Sequence, residues 1–188
     1  MTDETDDERF RRVAAIFEPA AFLQTLGVRL DAVGPGWCET SLPLTPALRQ
    51  QHGFAHAGVI TTLADHTAGG AARAAVPPGR DVLTLELKIN FLRPGRGERL
   101  VARGRTLRAG RNTVVSESEV FAIVNGQELL IAKLSSTLTV LDERPFASPV
   151  PARAGRTMIR TSRDSNPFVN ERVTQSVDNS FVASEAGR

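Results

Sequence analysis

The stretch from about Ala57 to Ala75 constrains this chain most: it is dominated by alanine and carries Gly69-Gly70 in its interior. Paired glycines destabilise a helix interior by about 1 kcal/mol each relative to alanine. A helix built this way needs compensation from tertiary structure, and close approach of other backbone is the usual source. A small-residue helix is also thin enough for a strongly curved sheet to wrap. Pro77-Pro78-Gly79 ends it, and the strands able to wrap it follow.

Leu83, Leu85, Leu87, Ile89 and Phe91 alternate with Thr84, Glu86, Lys88 and Asn90, which predicts a strand with one apolar and one polar face. Pro94-Gly95 turns the chain into a strand over Arg99–Leu107, and Ala109-Gly110 turns it into Asn112–Val124. Asn125-Gly126 is a two-residue hairpin signal leading into Gln127–Leu141, where Ser135-Ser136-Thr137 suits a solvent-facing strand. Upstream, Val28 to Val33 and Trp37 to Leu44 read as two strands around Gly34-Pro35-Gly36. Thr5-Asp6-Asp7-Glu8 matches a capping box ahead of Phe10, Val13, Ala14 and Phe17 at helical spacing. Pro19 opens a second short helix, with Gly27 as its stop. One long helix followed by an antiparallel meander predicts an α+β fold, the helix packed on one sheet face.

At 188 residues a single core is the default. Residues 1–142 carry the periodic segments; 143–188 hold scattered Phe, Ser, Arg and Pro without a period, the composition of a disordered tail. No apolar run spans a bilayer, and the acidic start lacks the basic and apolar regions of a signal peptide, so the expected location is the cytoplasm, away from membranes. A net charge of +2 gives no case for nucleic acid. The one cysteine, Cys38, lies in a strand-like run and reads as a buried small hydrophobe.

Chemistry concentrates between Gln50 and Asp65. A polar loop tightens at His56-Ala57-Gly58 and opens the small-residue helix, whose N-terminus offers unpaired N–H groups to a developing oxyanion. Asp65 lies eight residues further on, about 12 Å along the axis from Ala57. Both groups must come within about 3 Å of the reacting atoms to act on one carbonyl. One helix does not achieve that. A second copy, antiparallel to the first, would supply the missing half.

These residues bear a family likeness. His56-Ala57-Gly58-Val59-Ile60-Thr61-Thr62-Leu63-Ala64-Asp65 resembles the "HGG…LAD" signature of hotdog-fold acyl-CoA thioesterases of the phenylacetate-pathway (PaaI-like) group. Leu85–Gly95 resembles the group's strand after the helix, and Arg108-Ala109-Gly110-Arg111 its "hxGr" turn. The resemblance covers roughly residues 20–141. It implies a hotdog fold, an antiparallel sheet wrapped around a central helix, assembled as a homodimer or dimer of dimers. It places the catalytic carboxylate on Asp65, the carbonyl-polarising N–H on Ala57, a loop amide on Gln50 and a hydroxyl on Thr84. The substrate it implies is an acyl-CoA; no cofactor is expected, coenzyme A being part of the substrate. Ala57 stands where the family has glycine, keeping the donor but straining a positive φ, and Gln50 stands where the family has Asn. Simple alternation turns Thr84 away from the Leu83/Leu85 face, so a bulge or a dimer edge is needed to bring it in.

Weighed residue by residue, Asp65 is a general base or a nucleophile, against the plainer reading of an aspartate facing water or pairing with Arg73. His56 orients the loop or substrate, or simply caps the helix. Gly58, Arg93, Arg96, Arg108 and Arg111 are the candidates for holding coenzyme A, since guanidinium forks suit phosphate. Phe17, Phe22, Leu23 and Phe54 read as core residues first and as the wall of an acyl tunnel second. His52, His56 and His66 do not make a metal site, because Gly53 interrupts any helix between the first two and His66 points elsewhere on its own helix. A non-catalytic module binding acyl-CoA or an acyl carrier is the alternative reading.

Overall fold

The computed structural model describes residues 4–142; the tail expected over 143–188 lies outside them. Helices α1 (Asp6–Phe17) and α2 (Ala21–Leu26) lead into β1 (Arg29–Gly34), β2 (Trp37–Pro43) and a single 3-10 turn at Pro46–Leu48. Helix α3 (Ala57–Ala75) follows, then β3 (Arg80–Phe91), β4 (Arg99–Ala109), β5 (Thr113–Val124) and β6 (Gln127–Asp142). All six strands pair antiparallel in the order β1-β2-β4-β5-β6-β3, so β1 and β3 are the edges of the sheet among the described residues. This is the expected α+β architecture, with α3 packed on the concave face of the sheet.

The sheet reaches α3 because the strand residues beneath the helix are small. Cys38, Gly104 and Ser118 are register neighbours on β2, β4 and β5. A Cβ on Gly104 would lie 2.6 Å from the Thr67 carbonyl oxygen, so only glycine admits the helix backbone here. A Cβ on Gly70 would lie 2.8 Å from Cys38 Sγ and 3.2 Å from the Phe17 ring, which is the close approach the helix composition demanded. Ser118 Oγ donates to the Ala64 carbonyl at 2.8 Å, and the Thr40 and Thr67 hydroxyls meet at 2.6 Å. Around them Leu42, Leu63, Leu100, Val120, Ile131 and Leu134 close the main apolar core.

Local signals decide the remaining elements. Thr5 and Glu8 form the reciprocal capping box of α1. Gly27 stops α2 in the left-handed region at φ 76°, and Asn125 and Gly126 take positive φ in the β5–β6 hairpin. The Arg12 guanidinium bridges Glu4 and the Arg73 carbonyl, tying α1 to the far half of α3.

Three sequence expectations change. The β3–β6 register slips between Thr84 and Glu86, making Leu85 an extra residue. The helix-facing set therefore switches phase, from Val82 and Thr84 before the bulge to Leu87, Ile89 and Phe91 after it. Leu83 and Leu85 stay 59% and 62% exposed on that edge rather than lining the core. Ser136 is buried with its hydroxyl toward the Ser116 carbonyl, because strand alternation turns it inward while Ser135 faces out. Phe22 is 62% exposed and belongs to no core, whereas Phe17 and Leu23 are buried as expected.

Candidate active site

At the N-terminus of α3, the His56 N–H is held by the Leu48 carbonyl at 2.9 Å, which sets the entry of the chain into the helix. His56 is the N-cap, and its Nδ1 accepts from the Gly58 N–H at 3.0 Å. The capping alternative for this imidazole is thus the arrangement present, and the Gly58 amide is committed to it rather than free for substrate. The N–H groups of Val59 and Ile60 return to the His56 carbonyl. Among the described residues, none accepts from the Ala57 N–H. The strain anticipated at Ala57 does not arise, since Ala57 is helical and the positive-φ non-glycine residue is Asn125.

Gln50 stands beside this amide. Its side-chain oxygen accepts from the His52 N–H, and its own backbone closes the loop through Phe54 and Gly53. With the oxygen engaged, the NH2 of the carboxamide is the group left for a ligand. Gln50 and Ala57 line one cavity of about 480 Å³ with Phe54, Ile60, Phe91 and Arg93. Arg96 lies 4.2 Å over the Phe54 ring at its border.

Asp65 lines a different cavity, of about 360 Å³. The Thr84 hydroxyl donates to its Oδ1 at 3.0 Å, and the bulge at Leu85 is what lets strand β3 aim Thr84 at the helix. Asp65 is half-buried. Arg73, 1% exposed and eight residues further along α3, reaches Asp81 Oδ1 at 2.8 Å and the Arg80 carbonyl. Ile16, Gly69, Val82, Leu83 and Leu138 supply the apolar wall.

His66 also lines this cavity, contrary to the expectation that it points elsewhere. Burial pushes its imidazole below the usual value, opposed by the Asp65 charge and by a hydrogen bond to the Ile16 carbonyl. Its ring meets Phe17 edge-on at 5.0 Å. The last turn of α1, which supplies Ile16 and Phe17, meets the His66 ring, and no local pattern along α3 announces it.

The four candidate arginines separate into two pairs. Arg93 and Arg96 follow β3 beside the Ala57 cavity, and Arg93 also donates to the Leu130 carbonyl at 3.0 Å. Arg108 and Arg111 bracket the opposite end of β4. One chain therefore brings together Gln50, Ala57 and Arg93 in one cavity and Asp65 and Thr84 in the other, with the carboxylate eight residues along the helix from the amide.

A helix sheathed by a curled antiparallel sheet, with a free amide at its head and a carboxylate two turns on, defines a hotdog protein. The family model of the thioesterase superfamily matches residues 52–128. A thioesterase family protein from Silicibacter pomeroyi is 37% identical, with 72% of this chain and 99% of that one aligned at a TM-score of 0.70. The 1,4-dihydroxy-2-naphthoyl-CoA hydrolase of Listeria monocytogenes is 27% identical over 121 residues, 64% of this chain and 96% of that protein. A medium/long-chain acyl-CoA thioesterase of Escherichia coli is 26% identical over 134 residues, 63% of this chain and 84% of that protein. The chain belongs to the thioesterase superfamily.

Proposed function

We propose that this chain is an acyl-CoA thioesterase that works as an antiparallel homodimer or a dimer of such dimers, each site built from two protomers. The observation that carries the reading is the Thr84–Asp65 contact, which holds a half-buried carboxylate toward an apolar cavity while Arg73 is taken up by Asp81. Two relatives act on CoA thioesters, one on an aryl and one on medium or long alkyl acyl groups, which supports the same bond as the target here.

In this scheme the Ala57 N–H and the Gln50 NH2 of one protomer polarise the thioester carbonyl. Asp65 of its mate either takes a proton from the attacking water or attacks the carbon itself, giving an anhydride that water opens. With Oδ1 engaged by Thr84, Oδ2 is the oxygen available for this step. The C–S bond breaks, the CoA sulfur takes a proton, and the free acid leaves. Arg93 and Arg96, joined by Arg108 and Arg111 of the mate, meet the phosphates of coenzyme A. Coenzyme A enters as substrate and the scheme needs no further cofactor. The exposed Leu83 and Leu85 on β3, which ends the sheet among the described residues, support pairing with a second copy. No described helix is long and apolar enough to cross a membrane, and a cytoplasmic place of work fits a CoA-ester substrate.

The test is a screen of aryl-, short-chain and long-chain acyl-CoAs with free thiol as the readout. Turnover of at least one class is the expected result. Tight acyl-CoA binding without thiol release from any class would instead favour a non-catalytic binding module.

A further inference from the structure

Gly69 lines the Asp65 cavity one helical turn beyond the carboxylate, and a Cβ built on it would meet none of the described residues within 4 Å. Its neighbour Gly70 is glycine because Cys38 and Phe17 leave no room. Among the described residues Gly69 has no such reason, and glycine is a poor choice for a helix interior. Alanine would fit the fold and stabilise the helix. What glycine adds here is empty volume, opening directly onto the proposed reacting centre.

The chemistry of the wall says what that volume takes. Its polar groups are already engaged: Asp81 with Arg73, His66 with the Ile16 carbonyl, Thr84 with Asp65. Ile16, Val82, Leu83 and Leu138 complete it with apolar surface. A pantetheine arm would bring amides needing partners, and this wall has few to give. An acyl tail needs none. The guanidinium-rich rim, Arg93 and Arg96, borders the other cavity, where the CoA end belongs.

We propose that Gly69 is the residue that sets how bulky an acyl group this enzyme accepts. Residues i and i+4 are separated by about 6 Å along a helix, so the gap lies beside acyl carbons a few bonds from the thioester carbonyl. Such a position admits a ring or branched group rather than merely a thin chain. Ile16, carried by α1, lines the same cavity. The inference rests on the thioesterase reading and names the acyl subsite within it.

The test uses the full chain with Gly69→Ala, Gly69→Leu and Ile16→Ala. For each, kcat/KM is measured on acetyl-, octanoyl- and benzoyl-CoA, alongside thermal melts and sedimentation. The benzoyl-to-acetyl ratio should fall stepwise, by about tenfold or more at Gly69→Leu, and should rise in Ile16→Ala. Melts of Gly69→Ala should match or exceed those of the unmodified chain. Equal losses on all three substrates would overturn the proposal, as would loss of the oligomer in Gly69→Ala, which would assign the gap to a second copy. If the unmodified chain hydrolyses no acyl-CoA, the thioesterase reading falls and this inference with it. An active enzyme with an unchanged ratio sinks the Gly69 assignment alone.

Discussion

Thr84 Oγ1 donates to Asp65 Oδ1 at 3.0 Å, so an edge strand and the central helix hold one carboxylate between them. Thr84→Val keeps the branched shape and deletes the hydroxyl. Loss of a hydrogen bond to a charged group should lower kcat about tenfold, with KM little changed. Thr84→Ser should recover most of that loss, because the donor returns. If Ser and Val variants are equally impaired, Thr84 acts through packing and not through orientation of Asp65.

Two protomers sharing a site give a sharper signature. Asp65→Asn should cut turnover at least a hundredfold while the melting profile holds, because an amide is neither base nor nucleophile. Gln50→Ala should cost about a hundredfold by removing one carbonyl donor. Mixed one-to-one and allowed to exchange subunits, the two inactive variants should recover about a quarter of normal activity. Half of the dimers are then mixed, each with one intact site of two. A mixture that stays inactive after exchange would place both groups on the same protomer's site.

The helix, its cap and its carboxylate were legible in sequence because each rests on local chemistry: a polar loop, an N-cap at His56, small residues through Ala75. The strands were legible from alternation and turn residues. The phase of β3 was not, since Leu83, Leu85, Leu87, Ile89 and Phe91 alternate without a break across a bulge that only pairing with β6 creates. The same register explains why Ser136 faces in. Arg73 was the plain alternative partner for Asp65, yet eight residues of helix put it about 12 Å away, and Asp81, at the start of the next strand, pairs with it. His66 and Gly69 drew no functional reading because their neighbours, Ile16, Val82 and Leu138, come from three other elements.

The close contact between sheet and helix makes a stability prediction. Gly104→Ala would drive a methyl to 2.6 Å from the Thr67 carbonyl oxygen and 3.2 Å from the Ala68 nitrogen, both of them backbone. Neither a rotamer change nor a shift of one side chain relieves it. Overpacking of this kind costs about 1–3 kcal/mol, which for a domain of this size lowers the melting temperature by about 3–10 °C. Gly126→Ala, in a hairpin where the added Cβ meets nothing, tests the contrast: its cost comes from the positive φ of 76° alone. A Gly104→Ala melt equal to that of the unmodified chain would mean that α3 does not sit this close to the sheet.

Cys38 reports on the same packing through its thiol. Burial first, then the charges of Asp31 and Glu39, push its pKa from the ordinary 9.0 to about 12. The folded state thus disfavours the thiolate, and the sign follows. The thiol's contribution to stability is whole below pH 9.0 and is lost as pH rises toward about 12. A thiol reagent at pH 8 should label Cys38 only as fast as the chain unfolds, since the native side chain is fully buried. Between pH 8 and pH 10 the urea midpoint should fall in the unmodified chain more than in Cys38→Ala, which has no thiol to ionise. The chain contains no tyrosine to add its own titration over that range. Rapid labelling of the native protein, or equal midpoint shifts in the two chains, would show that the sheet does not seal Cys38 beneath Gly70.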